Sequence, residues 1–201
     1  EGGAIQVMSR IIGPFFSKLF PEIPKNHPAN GSIMMNFAAN MLGLDNAATP
    51  VGLKAMNQLQ DLNPNKDVAS NAQIMFLVLN TSGLTLIPIS VMAIRAAEGA
   101  ANPADVFLPI LLATYFATLA GLIVVSLFQK INLLNLTVLS YLLAFTLIIS
   151  GIIYYFLVLP QSKVGPVSSL VGNFILFSII ITFILLAVRK KVNIYESFIE
   201  G

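Results

Sequence analysis

The chain has 201 residues, of which 56% are hydrophobic and only 10% charged, with a net charge of +2. A water-soluble surface draws roughly a quarter of its residues from Asp, Glu, Lys and Arg, so this composition excludes an ordinary soluble domain and points to lipid. The small, scattered charge gives no footprint for nucleic acid, and zero cysteines with one histidine, His27, exclude disulfides, thiolate metal sites and multi-histidine centres.

In chain order, residues 4–20 place Ile5, Met8, Ile11, Ile12, Phe15, Phe16 and Leu19 at helical spacing with Arg10 and Lys18 among them. That pattern predicts an amphipathic helix at a membrane interface, ended by Pro21, Pro24 and Pro28. His27, between prolines, reads as a loop residue. Residues 32–42 predict a short apolar helix and 50–62 a polar amphipathic one, separated by a break over 43–49. A further helix begins near Asp67, is interrupted at Asn80-Thr81-Ser82-Gly83, and resumes to about Ala97 with Pro88 inside it. Arg95 and Glu98, three apart, suit an ion pair.

The second half is simpler. Residues 106–128, 133–159 and 168–188 are uncharged runs, each long enough at ~1.5 Å per residue to cross ~30 Å of hydrocarbon. A tight turn at 129–132 and a Pro-, Gly- and Ser-containing loop at 160–166 connect them. The basic trio at 189–191 goes to the cytoplasm, which puts Lys130 on the same side and the 98–104 and 160–167 loops outside. The expected fold is therefore all-α, a polytopic transmembrane protein with broken or re-entrant helices in its N-terminal half. The chain begins without Met and stops just as another helix gets under way, so it reads as a piece of a longer polypeptide.

Chemistry concentrates where apolar helices are interrupted, because freed backbone groups at membrane depth need protein or a wet cavity to receive them. Asn36 and Asn40 lie one turn apart and share a face with Ser32 and Gly43. Thr49 before Pro50 suits a helix cap, whose amides would face the break and attract an anion or a carbonyl oxygen. Asp45 and Asn46 lie in that break, and Lys54 follows one turn into the next helix. Asn80, Thr81 and Ser82 repeat the logic, and paired interrupted segments are the sequence pointer to a transporter-type site. The alternative for the asparagines is interhelical hydrogen bonding alone, and for the second break a glycine-assisted kink. The candidate binding set is thus Asn36, Asn40, Asp45, Asn46, Thr49, Lys54, Asn80, Thr81 and Ser82, with no catalytic group, cofactor or metal.

At these positions a family resemblance is visible. Pro14-Phe15-Phe16-Ser17-Lys18-Leu19-Phe20-Pro21-Glu22-Ile23-Pro24, His27-Pro28, the run Gly43-Leu44-Asp45-Asn46-Ala47-Ala48-Thr49-Pro50-Val51-Gly52-Leu53-Lys54-Ala55-Met56, and Asn80-Thr81-Ser82 resemble the spore maturation A family. That family belongs to the Gate, or nucleoside recognition, group, which includes segments of nucleoside and ferrous iron transporters. The resemblance covers about residues 4–128, with Asp45 departing from an expected small residue. Residues 190–201 are similar to the first loop of the spore maturation B family. The resemblance implies a natural A/B fusion: 1–130 as the C-terminal part of a Gate domain, and 131–201 as a joining helix and the first helix of an incomplete second half.

It further implies a bacterial inner-membrane transport or permeation component for a small polar solute, nucleoside-like or a small anion. The competing reading is a non-transporting membrane scaffold. Expected partners are the bilayer, the remainder of the polypeptide with its second Gate copy, and the solute, with a homo-oligomer compatible; an enzyme lacks any paired-carboxylate or metal-ligand cluster within the spans.

Overall fold

The computed structural model describes residues 4–86 and 88–189, apart from the side chains of 4–9, of Asp45 and Ala104, and of several positions in the last helix. Among the described residues the regular structure is helical throughout: α1 (Ala4–Leu19), α2 (Pro28–Met41), α3 (Asp45–Leu62), α4 (Asn71–Ser82), α5 (Ile89–Ala97), a 3-10 turn (Pro103–Val106), α6 (Phe107–Phe128), α7 (Leu136–Val158) and α8 (Gln161–Arg189).

Helix α1 is the predicted amphipathic one, with Phe16 and Leu19 buried and Arg10, Ile11 and Lys18 exposed. Helix α2 starts four residues before the expected Ser32. Pro28 occupies its first turn, where a missing N–H costs nothing, and Nδ1 of His27 accepts the Ala29 amide at 3.3 Å, so the supposed loop histidine is the cap.

The predicted start of the next helix at Thr49-Pro50 is corrected in the same direction. The Ala47 and Ala48 amides both bond the Leu44 carbonyl, at 3.0 and 2.9 Å, so α3 begins at Asp45 and Pro50 sits inside it. Proline there deprives only the Asn46 carbonyl of its backbone donor. The break between α2 and α3 is correspondingly short, Leu42 to Leu44, with Gly43 at φ +63°.

Helix α4 opens on a full capping box: Ser70 Oγ accepts the Gln73 amide and Gln73 Oε1 accepts the Ser70 amide. It then runs straight through Asn80, Thr81 and Ser82. The predicted interruption therefore moves to Gly83–Pro88, because Gly83 takes the left-handed conformation, φ +55°, and ends the helix. Arg95 does not turn to Glu98; its Nη2 donates to the Asn102 carbonyl at 3.4 Å.

The predicted spans at 106–128 and 133–159 are α6 and α7, 22 and 23 residues long and apolar enough to cross a membrane. Helix α8 absorbs the third and also the expected 160–166 loop, with Pro166 inside it; the connection from α7 shrinks to Leu159 and Pro160. A proline in the second turn leaves the onward amides free to hydrogen-bond, so it does not force a loop. Lys190, Lys191 and residues 192–201 lie outside the described residues.

One apolar core joins α1, α2, α3 and α4 around Phe16, Phe20, Ile33, Leu59, Met75 and Phe76, and a second joins α6, α7 and the linker residue Leu84 around Phe107, Leu111 and Ile149. Outside these, α7 turns Leu143, Leu147, Ile148, Leu157 and Val158 outward, and α6 turns out Phe116, Ile123, Val124, Leu127 and Phe128. Two adjacent helices that carry apolar side chains on their outer faces over membrane-crossing lengths make this an all-α membrane protein.

Candidate functional site

The two helix breaks are bonded to each other. The Leu86 amide donates to the Met41 carbonyl at 2.8 Å, and Ser90 Oγ donates to the Gly43 carbonyl at 2.5 Å. Local amides of Leu42, Gly43 and Leu44 satisfy the Ala38, Asn40 and Ala39 carbonyls, while the Met41 and Gly43 carbonyls are satisfied across the breaks by Leu86 and Ser90, as low-dielectric surroundings require. Glycine is needed at 43 and 83 because both residues occupy the left-handed region.

Just before these breaks, three asparagines converge from two helices. Asn36, 3% exposed, donates through Nδ2 to the Ala48 carbonyl on α3 at 2.8 Å. Nδ2 of Asn40 donates to Asn36 Oδ1 at 3.3 Å and to Asn80 Oδ1 on α4 at 2.7 Å. The i, i+4 pair predicted to share a face does so, and tertiary folding adds Asn80 to it. Gly52 on α3 makes room: a Cβ there would stand 2.8 Å from Asn36 Nδ2 and 3.5 Å from Asn80 Nδ2. The cluster is lined by Phe16, Ile33, Phe37, Phe76 and Leu79 and leaves a void of about 10 Å³, the scale of a single water position.

Ser82 serves a different contact. Ser82 Oγ donates to the Leu79 carbonyl and is bonded to Thr118 Oγ1 of α6 at 2.9 Å, so it ties α4 to α6. Asn46, Thr49, Lys54 and Thr81 are exposed. Leu44, not Thr49, occupies the cap position of α3, and no side chain caps it. The Asp45 side chain lies outside the described residues.

Sequence reading passed over Gly52 and Thr118 as site positions. A glycine in a helix interior costs about 1 kcal/mol against alanine, and that cost was the available signal of a close approach. Thr118 sits in an uncharged span and gave no signal. The cluster is uncharged, offers both donors and acceptors, and is walled by aromatic rings; it suits a neutral polar group better than an ion.

An all-helical membrane protein whose two broken segments interlock beside buried amides is the class this geometry defines. The sequence profile of the Gate family, described as nucleoside recognition, matches residues 1–98. Spore maturation protein A of Bacillus subtilis (strain 168) is 47% identical over 124 residues, 62% of this chain and 63% of that relative. This N-terminal region, residues 1–98, is thus similar to the Gate family. The chain thus spans somewhat under two thirds of that relative's length. No solved structure matches it.

Proposed function

We propose that this protein is a transport or permeation component of a bacterial inner membrane, whose Gate domain handles a small, uncharged polar solute of nucleoside type at Asn36, Asn40 and Asn80. The observation that carries this reading is the Asn40 bridge, which joins α2 to α4 at the point where both helices break. A solute with its own donors and acceptors would replace the inter-amide bonds one for one, so opening the cluster costs little net hydrogen bonding. The neutral character of the cluster favours a nucleoside-like solute over a small anion. In the membrane the chain is multi-pass, with 189–191 cytoplasmic, and works with a second Gate copy of the spore maturation B type.

A second reading, a non-transporting scaffold, draws on the tightness of the same cluster, whose void is only about 10 Å³. One experiment separates the two. Asn40→Leu strips Asn80 of its donor and destabilises the fold, whereas Asn40→Leu with Asn80→Leu removes both members of that pair, forfeits only the longer bond to Asn36 and restores much of the stability. Uptake of labelled nucleosides into vesicles carrying the intact polypeptide is expected to stay lost in the double variant. Recovery of the protein's biological activity along with stability in the double variant, with no nucleoside uptake by any form, would establish the scaffold instead.

A further inference from the structure

A second, apolar cavity lies away from the asparagines. A chamber of about 350 Å³ lies between α2 on one side, through Phe37 and Met41, and α6 and α7 on the other, through Leu119, Leu122, Leu142 and Phe145. The cavity is partly open and almost wholly apolar, so water is a poor occupant and an apolar group a favourable one.

The wall excludes a polar occupant. Three hydroxyls reach it, and each is engaged elsewhere: Tyr115 with Thr146 Oγ1 at 2.7 Å, Thr118 with the Thr114 carbonyl at 2.8 Å, and Tyr141 with the Ile11 carbonyl. From Leu122 to Tyr115 the chamber follows α6 for about 10 Å, parallel to a membrane-crossing helix. This is the shape and polarity of an acyl chain.

The upper edge of the chamber selects the headgroup. Tyr141 is in the second turn of α7, so its bond to Ile11 fixes α1 within about 8 Å of the start of that helix. At the other end of α1, Glu22 accepts from Asn71 Nδ2 at 2.7 Å, and Gln129 of the α6–α7 turn donates to the Asn71 carbonyl at 2.8 Å. Helix α1 therefore lies across the end of the α6–α7 pair, with Ile12 and Phe15 on the chamber and Arg10 and Lys18 exposed; Lys130 is exposed in the adjoining turn. Cations above an acyl-sized slot complement an anionic lipid.

We propose that one anionic phospholipid binds here, an acyl chain in the chamber beneath α1 and its phosphate beside Arg10, Lys18 and Lys130. This site is separate from the asparagine cluster and stands whether or not the protein carries a nucleoside. The chain has no tryptophan, so Phe145→Trp gives a single reporter inside the chamber and Leu147→Trp, on the outward face of α7, a reference. In bilayers containing lipids with brominated chains, Phe145→Trp should be quenched about fivefold more effectively by phosphatidylglycerol than by phosphatidylcholine, whereas Leu147→Trp shows no preference. Adding Arg10→Gln and Lys18→Gln should remove the preference. Native mass spectrometry of the intact, unsubstituted polypeptide should retain one anionic lipid, and Ala38→Phe or Leu119→Phe, which fill the chamber from opposite walls, should lose it. Absence of the lipid adduct, quenching without headgroup preference, or a chamber filled by another segment of polypeptide overturns the proposal.

Discussion

Gly52 carries more of the asparagine cluster than its size suggests. Any side chain there must displace the Asn36 amide, because a Cβ would stand only 2.8 Å from Nδ2. Asn36 in turn is fixed by the Ala48 carbonyl on the same helix as Gly52. Gly52→Ala is therefore expected to lower stability by about 1–3 kcal/mol, even though alanine is the better helix former. Thermal unfolding in detergent, read by circular dichroism, checks the sign; an increase in melting temperature would mean that the amides shift freely. Gly121 makes the parallel case on α6, where a Cβ would meet Val78 Cγ1 at 2.7 Å. At this scale the i, i+4 spacing of Asn36 and Asn40 was legible, since helical periodicity alone puts them on one face. Asn80 as their partner was not, because it lies forty residues on.

At the scale of elements, the structure turns on where helices begin and end. The capping box of Ser70 and Gln73 starts α4, and Gly83 stops it in a conformation that excludes other residues at little cost. Ser70→Ala should cost about 1 kcal/mol. Gly83→Ala should cost about 1–2 kcal/mol from backbone strain alone, because no atom stands close enough to clash with a new Cβ. Equilibrium unfolding of the two variants measures both, and a Gly83→Ala protein as stable as the parent would show that the α4–α5 linker relaxes. Three helix starts fall earlier than the sequence reading put them, each with a proline in its first two turns: α2 begins on Pro28, α3 before Pro50 and α8 before Pro166. Proline tolerates the first turns of a helix, and backbone carbonyls such as that of Leu44 can nucleate a helix with no side-chain cap. The last turn of α4 was misread because Asn, Thr and Ser suit breaks, yet here Asn80 bonds onward to α2 and Ser82 to α6.

For the whole molecule, the decisive surface is the outer face of α7. Leu147, at the centre of the helix, is 71% exposed. Leu147→Arg should cost about 2.5–3.5 kcal/mol of membrane insertion and move a fraction of the protein out of the carbonate-resistant membrane pellet. An unchanged distribution would mean that this face meets water or protein. The tie between the breaks also acts at this scale. Ser90→Ala removes the bond to the Gly43 carbonyl and should loosen α5 against α2, seen as faster amide exchange at Leu86 and its neighbours with α6 unaffected.

Composition and hydropathy by themselves determined that the protein is helical, that it belongs in lipid, and that residues 107–128 and 136–158 are long and apolar enough to cross it. Those properties depend on transfer of side chains from water, a sum over local residues that needs no knowledge of neighbours. Tertiary structure alone decided that the two breaks bond to each other, that Asn36, Asn40 and Asn80 meet at one point, and that an apolar chamber lies elsewhere. Such features arise from hydrogen bonds and contacts between residues distant in sequence, where a shift of one turn at a helix start redirects every side chain that follows.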